Sequence, residues 1–105
     1  MRIISINTLR IYWIKNRQSE QALKAWIQEV SNSGWVTAAE LKEKYRHASI
    51  INSKRVVFNI RGNSYRLIVD VEYRLGIVFI VWIGTHAEYD KLDVKKVRYV
   101  KTNKG

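Results

Sequence analysis

VVFNIRGNSYRLIVDVEY, residues 56–73, is the stretch whose reading decides the fold. It consists of two β-branched and aromatic runs separated by Gly62-Asn63, a dipeptide suited to the positive φ of a tight hairpin loop. With those two residues as the loop, Arg61 faces Ser64, and Asn59 falls directly opposite Arg66 on one face of the sheet. Asn63 is then expected to be the residue that tolerates positive φ. The other face carries Phe58, Ile60, Tyr65, Leu67, Val69 and Val71, an apolar set that helices have to cover.

Working outward, "IVFIVWI" at residues 77–83 supplies a third strand after "RLG". If Leu75 and Gly76 make the second turn, Asp70 lies opposite Val81 and Arg66 reaches the level of Thr85. Val78, Ile80 and Trp82 then point at the helices. Upstream, the periodicity is helical. Leu9, Tyr12 and Trp13 share one helix face, and Ala22, Leu23, Trp26, Ile27 and Val30 share another, opened by Ser19 as an N-cap. A shorter helix starts at Thr37, with Glu40 at capping-box spacing, carries Leu41 and Tyr45, and ends before the polar segment "HASIINSK". The expected class is α+β: N-terminal helices packed on one face of a small antiparallel sheet, with "RIIS" as a possible added edge strand. Phe58, Leu67, Val69 and Ile80 are expected to be buried. Trp13 and Trp26 belong to the core, while Trp35, in "SNSGWVT", is left unassigned.

The 105 residues suit one domain, 1–105. Zero Cys removes disulfides and thiolate chemistry, and His47 and His86 alone are too few to seed a metal centre, so neither a metal nor another cofactor is expected. No apolar run approaches the roughly 20 residues of a membrane helix, and Asn and Arg break the opening "MRIISINTLR" where a signal peptide needs an apolar stretch. A cytoplasmic protein with no membrane partner is the expectation. The 19 Lys and Arg against 9 Asp and Glu leave a net charge of +10. Solubility of a small domain asks for a net charge of only about 2 to 8, so the excess points to a polyanionic partner, nucleic acid first. It concentrates in residues 1–17 and in Lys91, Lys95, Lys96, Arg98, Lys101 and Lys104.

The blocks "VVFNIRGNSYRLIVDVEY" and "VFIVWIGTHAEYDK", with "EQALKAWIQEV" and the opening "MRIIS", resemble the HigB-like toxins of the RelE superfamily over essentially the whole chain. The resemblance implies a RelE-like fold and the toxin of a type II toxin–antitoxin pair. It implies an endonuclease that cuts mRNA, in many relatives on the ribosome, and so inhibits translation. The partner it implies is a HigA-like helix-turn-helix antitoxin, through which alone the toxin meets operator DNA. The superfamily also contains ParE-like gyrase inhibitors that do not cut RNA, and a noncatalytic RNA- or protein-binding module is a further alternative. In the family an Arg often precedes the "GTHAEYDK" block in the third strand. Val81 stands there instead, implying an attenuated toxin, since one charge-stabilising donor is worth on the order of 3 kcal/mol in a transition state.

Metal-independent RNA cleavage needs a base for the 2′-OH proton, a cation for the phosphorane-like transition state and an acid for the leaving 5′ oxygen. Arg66 is the charge stabiliser, a planar fork of donors matched to phosphate oxygens. In "IGTHAEYDK", residues 83–91, Thr85 and Glu88 are spent on starting a helix. His86 can act as base or acid. Tyr89, on the same helix face, can stack on a base or hand over a proton. The catalytic set is therefore Arg66, His86 and Tyr89, with Asn59, Arg61, Lys54 and Lys91 as RNA-binding residues.

Overall fold

In the computed structural model, which describes residues 1–99, the chain reverses at Gly62-Asn63 as the sequence requires. Strands β3 (Arg55–Ile60) and β4 (Tyr65–Glu72) pair antiparallel with Asn59 opposite Arg66 and Ile60 opposite Tyr65. The Ser64 N–H donates to the Arg61 carbonyl at 3.1 Å to close the turn. Positive φ falls on Arg61 (54°) and Gly62 (62°), not on Asn63. The glycine takes the left-handed position at no steric cost, and Arg61 is held there against its own preference. Lys101 and Lys104 of the basic C-terminal stretch lie outside the described residues.

Around this hairpin stand β1 (Arg2–Ile4), α1 (Ile6–Lys15), α2 (Glu20–Ser31), α3 (Ala38–Lys44), β2 (Ser49–Ile50), β5 (Ile77–Thr85) and α4 (His86–Tyr89). The sheet order is β1-β5-β4-β3-β2. Its antiparallel part matches the sequence reading, but β1 adds to β5 in parallel, Arg2 beside Ile77 and Ile4 beside Phe79, so the sheet is mixed. The edge strand β2 lies within "HASIINSK", whose polarity reads as a connector. Ser19 does not cap α2. It is fully buried at the end of a 3-10 turn (Arg17–Ser19), and its hydroxyl donates backward to the Asn16 carbonyl at 2.7 Å. Thr37 does cap α3, accepting from the Glu40 N–H at 3.2 Å.

Two apolar clusters form. The larger joins Leu9 and Trp13 of α1, Leu23, Trp26 and Val30 of α2 and Leu41 of α3 to Phe58, Ile60, Tyr65, Leu67, Val69, Val71, Val78 and Ile80. Trp35 belongs to it as well, its ring edge-on to Tyr45 with centroids 5.8 Å apart. The smaller cluster is Val57, Ile68 and Val81, packed against Trp82, Tyr89, Leu92, Val94 and Val97.

The β4–β5 register departs from the sequence reading. Glu72 opposite Ile77 is the first pair, so the turn is Tyr73–Gly76 and Asp70 meets Phe79, not Val81. A bulge between Ile68 and Val69 then inserts Val81 as an extra residue, and Arg66 comes opposite Gly84 instead of Thr85. One added residue reverses the inward–outward phase of a strand. Val78 and Ile80 keep the direction expected of them, but Trp82 joins the smaller cluster.

Candidate functional site

Arg66 occupies the middle of a cross-strand row, with Asn59 of β3 on one side and Gly84 of β5 on the other. Its Nη1 donates to the carbonyls of Asn63 at 3.2 Å and Tyr65 at 3.4 Å, which hold the guanidinium at the hairpin end of the sheet. The guanidinium carbon lies 5.8 Å from the centroid of the Tyr89 ring, in cation–π range. Among the described residues, Nε and Nη2 have no protein acceptor, which leaves donors of the fork for an anion.

Gly84 shapes the opposite wall. A Cβ there would lie 2.3 Å from Cη2 of Trp82 and 2.8 Å from Oε1 of Glu88, so only glycine lets the indole and the helix-capping carboxylate close over the strand. The indole in turn lies against Tyr89, ring centroids 6.4 Å apart at 45°. Trp82, Tyr89 and Arg66 thus form one stack that ends on a cation.

The short helix α4 is started by a full capping box. Thr85 Oγ1 accepts from the Glu88 N–H at 3.1 Å, and Glu88 Oε1 accepts from the Thr85 N–H at 2.8 Å. The backbone N–H of His86 donates to the Ser64 carbonyl at 3.1 Å and ties the helix to the same turn that holds Arg66. His86 is exposed, and its Nδ1 lies 3.1 Å from Asp90 Oδ2. Such a contact occupies Nδ1 and, among the described residues, leaves Nε2 without a protein hydrogen-bond partner. The sequence reading gave Asp90 no part.

Arg66, Tyr89, His86 and Asn59 are therefore gathered at one end of the sheet, with Arg61 exposed in the adjoining turn and Lys91 exposed just after α4. Lys54 is not brought there. It pairs with Glu72 at 3.2 Å, next to Arg55, about five residues or roughly 17 Å along the strands from the level of Arg66.

Arg55 is a residue that sequence reasoning missed. It is buried, forks onto both Asp70 oxygens at 2.8 Å, and donates to the carbonyls of Val94 and Val97. Asp70 is thereby engaged in holding the C-terminal segment across the sheet. Two charge-assisted bonds to Asp70 raise the Arg55 pKa further, against the opposing pull of burial. The signal was present, since the register that sets Asn59 opposite Arg66 also sets Arg55 opposite Asp70. Among the described residues, no group of three or more His, Asp or Glu side chains is placed to hold a metal ion. No helix among them is long and apolar enough to cross a membrane.

A family model described as HigB toxin, RelE-like toxic component of a toxin–antitoxin system, matches residues 19–92, the greater part of the chain. No curated protein matches it.

Proposed function

The chain belongs to the RelE-like HigB toxin family, toxic components of toxin–antitoxin systems, and from that membership we propose that it is a metal-independent mRNA endonuclease acting on translating ribosomes. What carries the reading is the placement of Arg66 over Tyr89, on the same short helix as the His86–Asp90 contact, with Nε and Nη2 of Arg66 left without a protein acceptor among the described residues. Arg66 holds the scissile phosphate and takes up charge as the phosphorane forms. His86, steadied by Asp90, removes the 2′-OH proton through Nε2, and Tyr89 supports the opposite proton transfer to the 5′ oxygen. The RNA provides its own nucleophile. Asn59, Arg61 and Lys91 position the strand, and Lys54 contributes to more distant backbone contact.

Family membership implies an antitoxin partner. We take it to be HigA-like, an acidic or wrapping segment joined to a helix-turn-helix domain through which the complex meets operator DNA. The chain acts as one cytoplasmic domain, its N-terminal helices forming a layer on one face of the sheet and the Arg66 row lying on the other. Attenuation by Val81 belongs to this reading. The position holds an aliphatic side chain in the cluster that supports Tyr89, where a cation would add charge stabilisation.

The test is to incubate the protein with translating ribosomes and a message and to map new 5′ ends. Arg66→Ala should lower cleavage about 10²- to 10³-fold. His86→Gln and Tyr89→Phe should each reduce it while antitoxin binding is retained. A wild-type protein that makes no new ends refutes the nuclease, and inhibition of DNA gyrase in the same preparation would identify a ParE-like toxin.

A further inference from the structure

Lys44, Arg46 and His47 face Asn59 and the Gly62-Asn63 turn across a pocket of about 470 Å³. Two features open it. Strand β2 pairs only with Val56 and Val57, so no strand lies outside Phe58–Ile60. Helix α3 stops at Lys44, and the Tyr45 ring that follows packs edge-on against Phe58 with centroids 5.0 Å apart, both residues lining the open pocket. Three basic side chains line the pocket and no Asp or Glu does. Among the described residues, none of the three enters an ion pair.

The volume falls within the roughly 300 to 1,000 Å³ typical of small-ligand sites, enough for one nucleotide and too small for a duplex. The wall chemistry is that of a nucleotide: cations for a phosphate, and two carboxamides with an imidazole for the donor and acceptor edge of a base. Asn59 is the link to the site already described, because it is the cross-strand partner of Arg66, about 5 Å away between Cα atoms. One strand of RNA running over Asn59 reaches both.

We propose that this pocket receives one nucleotide of single-stranded RNA beside the phosphodiester held at Arg66, with Lys44 and Arg46 on its phosphate and His47, Asn59 and Asn63 on its base. The identification of the ligand as RNA rests on the endonuclease reading. The pocket makes cleavage depend on a nucleotide next to the cut, so it acts as a specificity site.

The test separates binding from chemistry by measuring the anisotropy of a labelled, fully 2′-O-methylated RNA oligomer, which offers no nucleophile. Lys44→Ala with Arg46→Ala should weaken binding about tenfold at low salt and flatten the salt dependence by about 0.7 in log–log slope for each phosphate no longer neutralised. His47→Ala should narrow the difference between oligomers that differ at a single base. Arg74→Ala, in the turn at the other end of the sheet, should bind like wild type, and thermal melts confirm that each variant is folded. In cleavage assays the pocket variants should be impaired through KM. If the double variant matches Arg74→Ala in affinity, salt slope and KM while wild type cuts RNA, the pocket proposal is overturned and the nuclease reading stands. If wild type binds through the pocket but leaves messages uncut, the pocket stands and the nuclease reading falls. Absence of any RNA binding by wild type overturns both.

Discussion

Replacing Gly84 with alanine tests the packing on which the site is built. The added methyl would lie 2.3 and 2.4 Å from Cη2 and Cζ2 of Trp82 and 2.8 Å from Oε1 of Glu88. Carbon pairs settle at about 3.5 to 4.0 Å, so the indole has to retreat by more than about 1 Å, and it is a rigid ring edge with Tyr89 on its other side. Overpacking of this kind costs about 1 to 3 kcal/mol, and disruption of the Glu88 arm of the capping box adds up to about 1 kcal/mol. A total of about 1 to 4 kcal/mol lowers Tm by on the order of 5 to 30 °C for a chain of this size. Calorimetry or thermal circular dichroism reads it directly. Because the indole carries Tyr89, and Tyr89 carries Arg66, displacement by about 1 Å should also cost about 10²-fold in RNA cleavage at a temperature where the variant is folded. In a Trp82→Ala background the same substitution should cost under about 1 kcal/mol, since the clashing atoms are gone. A variant that melts within a degree or two of wild type, or a penalty that persists without Trp82, refutes the proposed stack.

Arg55→Ala leaves Asp70 and two backbone carbonyls without their donor and should cost about 3 kcal/mol, the low end for breaking one half of a buried pair, since the Asp70 side chain is 32 % exposed. Hydrogen exchange should show residues 92–97 losing protection first, and a uniform decrease would contradict the clamp. Val81→Arg should lower stability by about 1 to 3 kcal/mol because Val81 is only 7 % exposed. Cleavage per folded molecule should nonetheless rise as the guanidinium snorkels out past Trp82, and an unchanged rate would end the attenuation reading. Tyr12 has its phenol pushed up to about 12, first by burial and then by Glu88 and Tyr65. A phenol raised in the folded state contributes stability that is whole below about pH 10 and is lost as pH climbs through about 12. Denaturant midpoints from pH 8 to 12 should fall accordingly, and Tyr12→Phe should flatten the decline.

Local signals by themselves determined the β3–β4 hairpin, the three N-terminal helices and the start of α4. Each depends on residues a few positions apart. Gly62 with Asn63 sets the register that joins Asn59 to Arg66, Thr85 caps against Glu88, and the alternation through Phe58, Leu67 and Val69 is reproduced by exposures of only 2 %, 0 % and 0 %. The site's central row was legible for that reason. What the tertiary structure alone decided is the second half of the sheet. "IVFIVWI" is apolar at every position, so either phase can be buried, and nothing within the run shows whether the turn is Leu75-Gly76 or Tyr73–Gly76, or where a bulge falls. Closing the ladder against β4, with β1 on the outer edge and the 92–97 segment anchored by Arg55, made that choice. It moved Asp70 from Val81 to Phe79 and turned Trp82 from the helices toward Tyr89. The pocket beside Asn59 depends equally on contact between distant segments, because it is lined by the α3 terminus and by the hairpin turn, which are more than ten residues apart in the chain.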